Sequence, residues 1–176
     1  MISLLSSYRH AIARPIITAG SLIVYLISQI IILTIVAKLG HDMLGIQTTL
    51  SQEKFLAIAR SWESSGLMDT YYLHFYLDFI HPVIYGLFLS SFMALAFNRR
   101  SLSGTWNFML LLPYLAAACD LIENGMHVYL LSDLSRVTRE AVLFSGICTN
   151  LKWTIAFICL FGTAAFFFTT RKNATA

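Results

Sequence analysis

The sequence predicts an all-α protein, an integral membrane four-helix bundle with a short amphipathic helix in its first extracytoplasmic loop. Three observations carry this. The chain is 57% apolar and only 12% charged, where a soluble domain carries about 25% charged residues, and its mean hydropathy is +0.71. Four apolar runs, at about residues 16–38, 71–97, 106–131 and 141–168, each exceed the ~20 residues that cross a hydrocarbon core. A single long connection, residues 39–70, interrupts them, so residues 1–176 read as one four-span membrane domain.

The first run is too long for a signal core, and Lys38-Leu39-Gly40 lacks a small-x-small cleavage pattern, so it reads as a retained helix. It has no ionisable group before Lys38. Arg9 and Arg14 precede it, Arg99 and Arg100 separate the second and third runs, and Arg171 and Lys172 follow the fourth. These three segments contain no acid, whereas the other loops mix both signs. The positive-inside rule then places the protein in the plasma (inner) membrane with both termini cytoplasmic. The Asn173-Ala-Thr sequon falls on the wrong side for glycosylation.

In the outer loop, Ser51 to Trp62 has the spacing of an amphipathic helix. Ser51 or Thr49 is placed to cap its first amides, and Phe55, Leu56, Ile58, Ala59 and Trp62 form its apolar face. The Ser64-Ser65-Gly66 stretch ends it. Such a helix serves either as a lid over the bundle or as an interfacial anchor.

Three acids and two histidines lie inside the apolar runs: Asp78, His81, Asp120, Glu123 and His127. Each acid near mid-membrane costs roughly 2.5–3.5 kcal/mol on insertion scales, so three cost about 8–10 kcal/mol. Interhelical hydrogen bonds worth about 0.6 kcal/mol each do not offset this, which disfavours a purely structural role. At about 100° per residue, His74, Asp78, His81 and Tyr85 share a strip of span two. Asp120, Asn124 and His127 share one on span three with Glu123 at its flank, and Gly146, Asn150, Trp153 and Phe157 share one on span four. Span one has none. The charge-derived topology brings all three strips to the outer half of the membrane, which predicts one shared pocket. Lys152 projects about 130° from the Asn150–Trp153 strip, so it is placed outside the pocket, snorkelling or bridging an acid on a neighbouring helix. Such a bridge would weaken an acid–base role.

Two prolines remove helical donors. Pro82 frees the carbonyl of Asp78, which predicts a kinked, polar cavity there; Pro113 frees that of Met109 and reads as an ordinary membrane-helix proline. Cys119, Cys148 and Cys159, odd in number and without a CxxC, read as packing residues.

The pocket suits a hydrophobic lipid-, sterol- or isoprenoid-like ligand, with Tyr85, Asn124, His127, Asn150 and Trp153 binding it. Asp78, His81, Asp120 and Glu123 are the candidate acid–base catalysts. Two adjacent carboxylates in low dielectric are not expected to ionise together, which leaves one as a proton donor. Replacing Asp120 or Glu123 by its amide would then abolish turnover and leave the fold intact. No cofactor is required. The alternatives are a metal-dependent membrane hydrolase, with zinc or iron held by the Asp-x-x-His and Asp-x-x-Glu-x-x-x-His spacings, and a proton-coupled transporter or relay subunit. The relay would need a homo-oligomer or a partner, because the ionisable groups occupy one half of the membrane. A net charge of +3, dispersed along the chain, argues against nucleic acid.

Asn150-Leu-Lys-Trp153, with Asp78, His81 and Glu123, resembles the emopamil-binding, sigma-2-receptor-like family of sterol isomerases and sterol-binding proteins. That resemblance implies four spans and a cation-like ligand surrounded by acids, a histidine and an Asn-x-x-Trp pair. The Asp-x-x-His order and the loop helix depart from the family. The segments Leu77-Asp-Phe-Ile-His-Pro-Val-Ile-Tyr85 and Asp120-Leu-Ile-Glu-Asn124 look closer to uncharacterised bacterial four-span membrane proteins, a resemblance that implies no activity.

Overall fold

A computed structural model of the chain describes residues 2–169; Arg171, Lys172 and the Asn173 sequon lie outside the described residues. Every regular element among them is helical: α1 (Ile2–Ile12), α2 (Pro15–Val36), α3 (Asp42–Thr48), α4 (Gln52–Ser65), α5 (Met68–Asp78), α6 (His81–Arg99), α7 (Leu112–Leu131), α8 (Arg139–Phe157) and α9 (Thr163–Phe168). A short 3-10 segment, Gly104–Leu111, leads into α7, and a π turn, Ile158–Gly162, joins α8 to α9. Four continuous helical stretches are long and apolar enough to cross a membrane: Pro15–Leu39, His81–Arg99, Gly104–Leu131 and Arg139–Phe168. Their outward faces stay apolar, with Ile23, Ile27 and Ile30 on α2 and Phe144, Ile147 and Leu151 on α8 all exposed. So much exposed hydrocarbon on opposite sides of one molecule suits a lipid surround, not water.

The bundle is an incomplete ring. Helix α2 packs on α6, α6 on α7 and α7 on α8, whereas α2 and α8 are not packed along their length. At one end, α1 folds back over the α6–α7 connection. Arg9 Nε donates to Asn98 Oδ1 (2.8 Å), and its Nη1 donates to the Leu102 carbonyl and to Asn107 Oδ1, both at 3.0 Å. Arg100 donates to the Phe166 carbonyl at the end of the fourth span (2.7 Å). The N-terminal helix, the Arg99–Arg100 connection and the end of α9 therefore share one end, as the loop charges predicted.

The opposite end is built from the long loop, which forms two helices where the sequence suggested one. Ser51 caps α4 by accepting from the Lys54 amide (3.3 Å), and Thr49 Oγ1 accepts from the Ser51 amide (3.1 Å). Gly66, with φ of 71°, provides the left-handed residue that ends the helix. Phe55, Ile58, Ala59 and Trp62 are buried against Tyr71 and Leu130, so α4 covers the end of the bundle. The seven residues of α3 have no side-chain cap and too little periodicity to be read in advance. This helix packs on α8, and Gly146 makes the approach feasible, because a β-carbon there would collide with the Thr49 carbonyl. Gly146→Ala should therefore lower stability by about 1–3 kcal/mol and increase amide exchange in α3, measured by hydrogen exchange in detergent micelles. Exchange in α3 unchanged from wild type would contradict this packing.

Span two, expected over residues 71–97 with a kink at Pro82, is divided at Phe79–Ile80 into α5 and α6. Pro82 is the reason: with no amide hydrogen it cannot bond the Asp78 carbonyl, and the Ile80 amide turns to Leu77 (2.9 Å). The freed Asp78 carbonyl accepts from Asn124 Nδ2 on α7 (3.0 Å). The Met109 carbonyl freed by Pro113 is taken by the Leu112 amide, so that proline leaves no polar gap. All three cysteines are buried free thiols.

Candidate functional site

Between α2 and α8, where the ring is not closed, lies a cavity of about 490 Å³, within the 300–1,000 Å³ typical of small-molecule sites. Its walls are apolar, with Ile32, Phe88, Leu89 and Leu160 among them, and Leu33, Leu44, Trp153 and Phe157 are exposed at its rim. Its polar side is formed by Asp78, His81, Tyr85, Asp120 and Lys152, with Gln29 and Gln47. Asp78, Asp120 and an α8 side chain thus meet in one place, but that side chain is Lys152, not Asn150.

Lys152 makes the bridge to a neighbouring helix that was one of its two expected placements, but it does so at the cavity and not outside it. Its ammonium lies 2.5 Å from Asp120 Oδ1 and 2.6 Å from Glu123 Oε2, with the lysine and both acids buried. The inward face of α8 is Val142, Ser145, Thr149 and Lys152. Of the predicted strip, Gly146 and Asn150 instead turn toward α3: Asn150 is exposed, and its Nδ2 donates to the carbonyls of Gly146 (2.7 Å) and Thr48 (3.2 Å). Polarity misled here. A lone cation favours the outside of a span, whereas two buried carboxylates on the facing helix make its burial favourable. The like-charge contact expected between Asp120 and Glu123 becomes an ion triad. Neither acid is then a clean catalytic probe, since altering it disturbs a structural charge group. Glu123, moreover, does not line the cavity.

His81 is the better-placed base. Ser28 Oγ lies 2.9 Å from the Tyr25 carbonyl and 2.8 Å from His81 Nδ1; with its one proton on the carbonyl, the imidazole donates from Nδ1. Neutral His81 therefore carries its lone pair on Nε2, which takes no protein partner among the described residues. Tyr25 stacks on the ring at a centroid separation of 5.3 Å and holds its plane. Span one, which the sequence left without a polar strip, thus sets the tautomer of a candidate catalytic group through one serine. Tyr85 borders the same space and approaches Asp120.

Asp78 is the acid outside the triad. Its Oδ2 lies 3.7 Å from His74 Nε2, and no lysine or arginine pairs with its carboxylate among the described residues. Asn124 acts on its backbone, not on a ligand. His127 does not reach the cavity either; its Nδ1 lies 2.5 Å from the Tyr71 hydroxyl, under Phe55 of α4. Of the nine residues singled out, the cavity therefore gathers Asp78, His81, Tyr85, Asp120 and Trp153. Glu123, Asn124 and His127 stand behind it, and Asn150 belongs to the α3 contact. Sequence reasoning placed Lys152 outside the pocket and gave Gln29, Gln47 and Ser28 no part in the site.

Among the described residues no three His, Cys, Asp or Glu side chains are grouped as a metal-ligand set. The place that the two carboxylates of α7 would offer a cation is taken by the lysine. Comparison with protein-family models, curated proteins and solved structures gives no match. The Asn-x-x-Trp pair that carried the family resemblance is divided, with Trp153 at the cavity and Asn150 away from it.

Proposed function

We propose that the protein sits in the plasma (inner) membrane with both termini cytoplasmic, takes an amphiphilic membrane molecule sideways between α2 and α8, and binds its polar head with Asp78, His81 and Tyr85. One observation carries the reading: a single cavity has apolar walls, a polar side, and a rim of exposed apolar side chains at the unclosed helix pair. A ligand arriving from water would favour a polar rim. A lipid-, sterol- or isoprenoid-like molecule leaves hydrocarbon for hydrocarbon and gains polar contacts only at its head. Asp78, outside the triad, and His81, with Nε2 unengaged, supply an acceptor and a proton-transfer group on one side of that head. This is the minimum for acid–base chemistry on the ligand.

The test is native mass spectrometry of the full chain released from mild detergent. The wild type should carry a co-purifying amphiphile. Ala156→Trp, which fills the cavity wall, should retain roughly tenfold less or lower while unfolding at the same temperature. A wild type that retains nothing, or equal retention by the variant, defeats the proposal.

A further inference from the structure

Behind the cavity, a second group of buried polar side chains has no part in ligand binding. Helices α5 and α7 run antiparallel, and their facing residues form successive rungs. Asp78 and Asp120 border the cavity, His74 and Glu123 lie about one helical turn further along α5 and α7, and Tyr71 and His127 close the row beneath α4. The two ends are tied by the Asn124–Asp78 and Tyr71–His127 bonds. His74 donates from Nδ1 to the Tyr71 carbonyl, which leaves Nε2 as its acceptor, turned toward Asp78.

Four buried atoms in this row lack a hydrogen-bond partner: His74 Nε2, Glu123 Oε1, Asn124 Oδ1 and His127 Nε2. Their residues are each at most 1% exposed. Glu123 Oε2 meets Lys152 at 2.6 Å but outside hydrogen-bonding geometry. Buried polar atoms left unpaired are strongly disfavoured and call for a reason. Here all four lie on or between groups that accept and release protons, and buried polar atoms of this kind are where internal water is held.

We propose that this row is a proton-exchange path joining the acids of the cavity to the outer surface beneath α4. A proton released by the Asp78 carboxyl passes to His74 Nε2, on through the Glu123 side chain and intervening water, and then to His127 and the Tyr71 hydroxyl. Each step breaks one O–H or N–H bond and forms another, with no net redox change. Lys152 is the fixed charge on the row, contributed by α8. From α6, His81 and Tyr85 face the cavity end. Helix α4 covers the other end with Phe55, Ile58, Ala59 and Trp62 and brings no titratable group to it, so one helix layer separates Tyr71 and His127 from the solvent.

The experiment needs no ligand, so its outcome is independent of the binding proposal. The full chain in lipid nanodiscs is subjected to a pH jump while the infrared carboxyl band is followed, with Asp78→Asn used to assign the band. Tyr71→Phe and His127→Gln should slow the response by roughly tenfold or more with its final amplitude kept. Tyr71→Phe removes a single hydroxyl, and thermal unfolding checks that its fold persists. Equal rates in wild type and both variants, or no carboxyl band that follows pH, would overturn the path; equal rates would mean that protons enter through the cavity mouth.

Discussion

Replacing Lys152 with methionine should destabilise the protein by about 3–5 kcal/mol, the cost of leaving buried charge without its partner. The ammonium is the only cation within salt-bridge distance of Asp120 and Glu123 among the described residues, and both carboxylates are buried. The triple variant Lys152→Met, Asp120→Asn, Glu123→Gln should recover most of that loss, because it removes the charges together and leaves polar groups of the same shape. Thermal or denaturant unfolding in one fixed detergent measures both. If the single variant is as stable as wild type, the triad does not hold the three helices as described. If the triple variant is no better than the single, the lysine acts by packing and not by charge.

Asp78→Asn should act in the opposite manner, with a large effect on the ligand and a small one on the fold. The carboxylate has no salt-bridged lysine or arginine among the described residues, and its neighbour His74 lies at 3.7 Å. Loss of a charge-assisted contact to the ligand head is worth about 1.5–3 kcal/mol, or roughly 10- to 150-fold in retention. Stability should change by less than about 1 kcal/mol, since no buried partner is stranded. Titrating the delipidated protein with the amphiphile that co-purifies with wild type, alongside an unfolding curve, separates the two effects. Undiminished retention in this variant would remove Asp78 from the site. Asp120→Asn and Glu123→Gln are poorer probes for the same question, because each disturbs the triad and mixes stability with binding.

The places where sequence reasoning held and where it slipped share one physical origin. The first, third and fourth spans, the shared end of the basic segments and the α4 helix all follow from local properties: apolar run length, loop charge, and a cap with its periodic face. Pro82 was legible for the same reason. A missing amide hydrogen is a fact about one residue, and both the break at Phe79–Ile80 and the freed Asp78 carbonyl follow from it. The bridge made by Lys152 was legible only as one of two placements, because the sign of its burial depends on Asp120 and Glu123 on another helix. Ser28 gave no warning. A lone serine in an apolar helix is unremarkable until His81 is brought 2.8 Å from it. Asn150 was misplaced because a spacing of three residues to Trp153 suggested a shared face, while the close contact of α3 at Gly146 took the asparagine for itself.

The order of residues alone determined that this chain is helical, that four of its stretches suit a bilayer, and that ionisable groups too costly to leave in lipid must meet one another. Only the tertiary structure decided which of them meet: a lysine between two acids, an aspartate and a histidine left facing a cavity, and a row of unpaired polar atoms behind it. The reason is that insertion cost is set residue by residue, whereas its compensation is set by distances between helices. In a bundle whose α2 and α8 stay apart, those distances also create the opening through which a membrane molecule would enter.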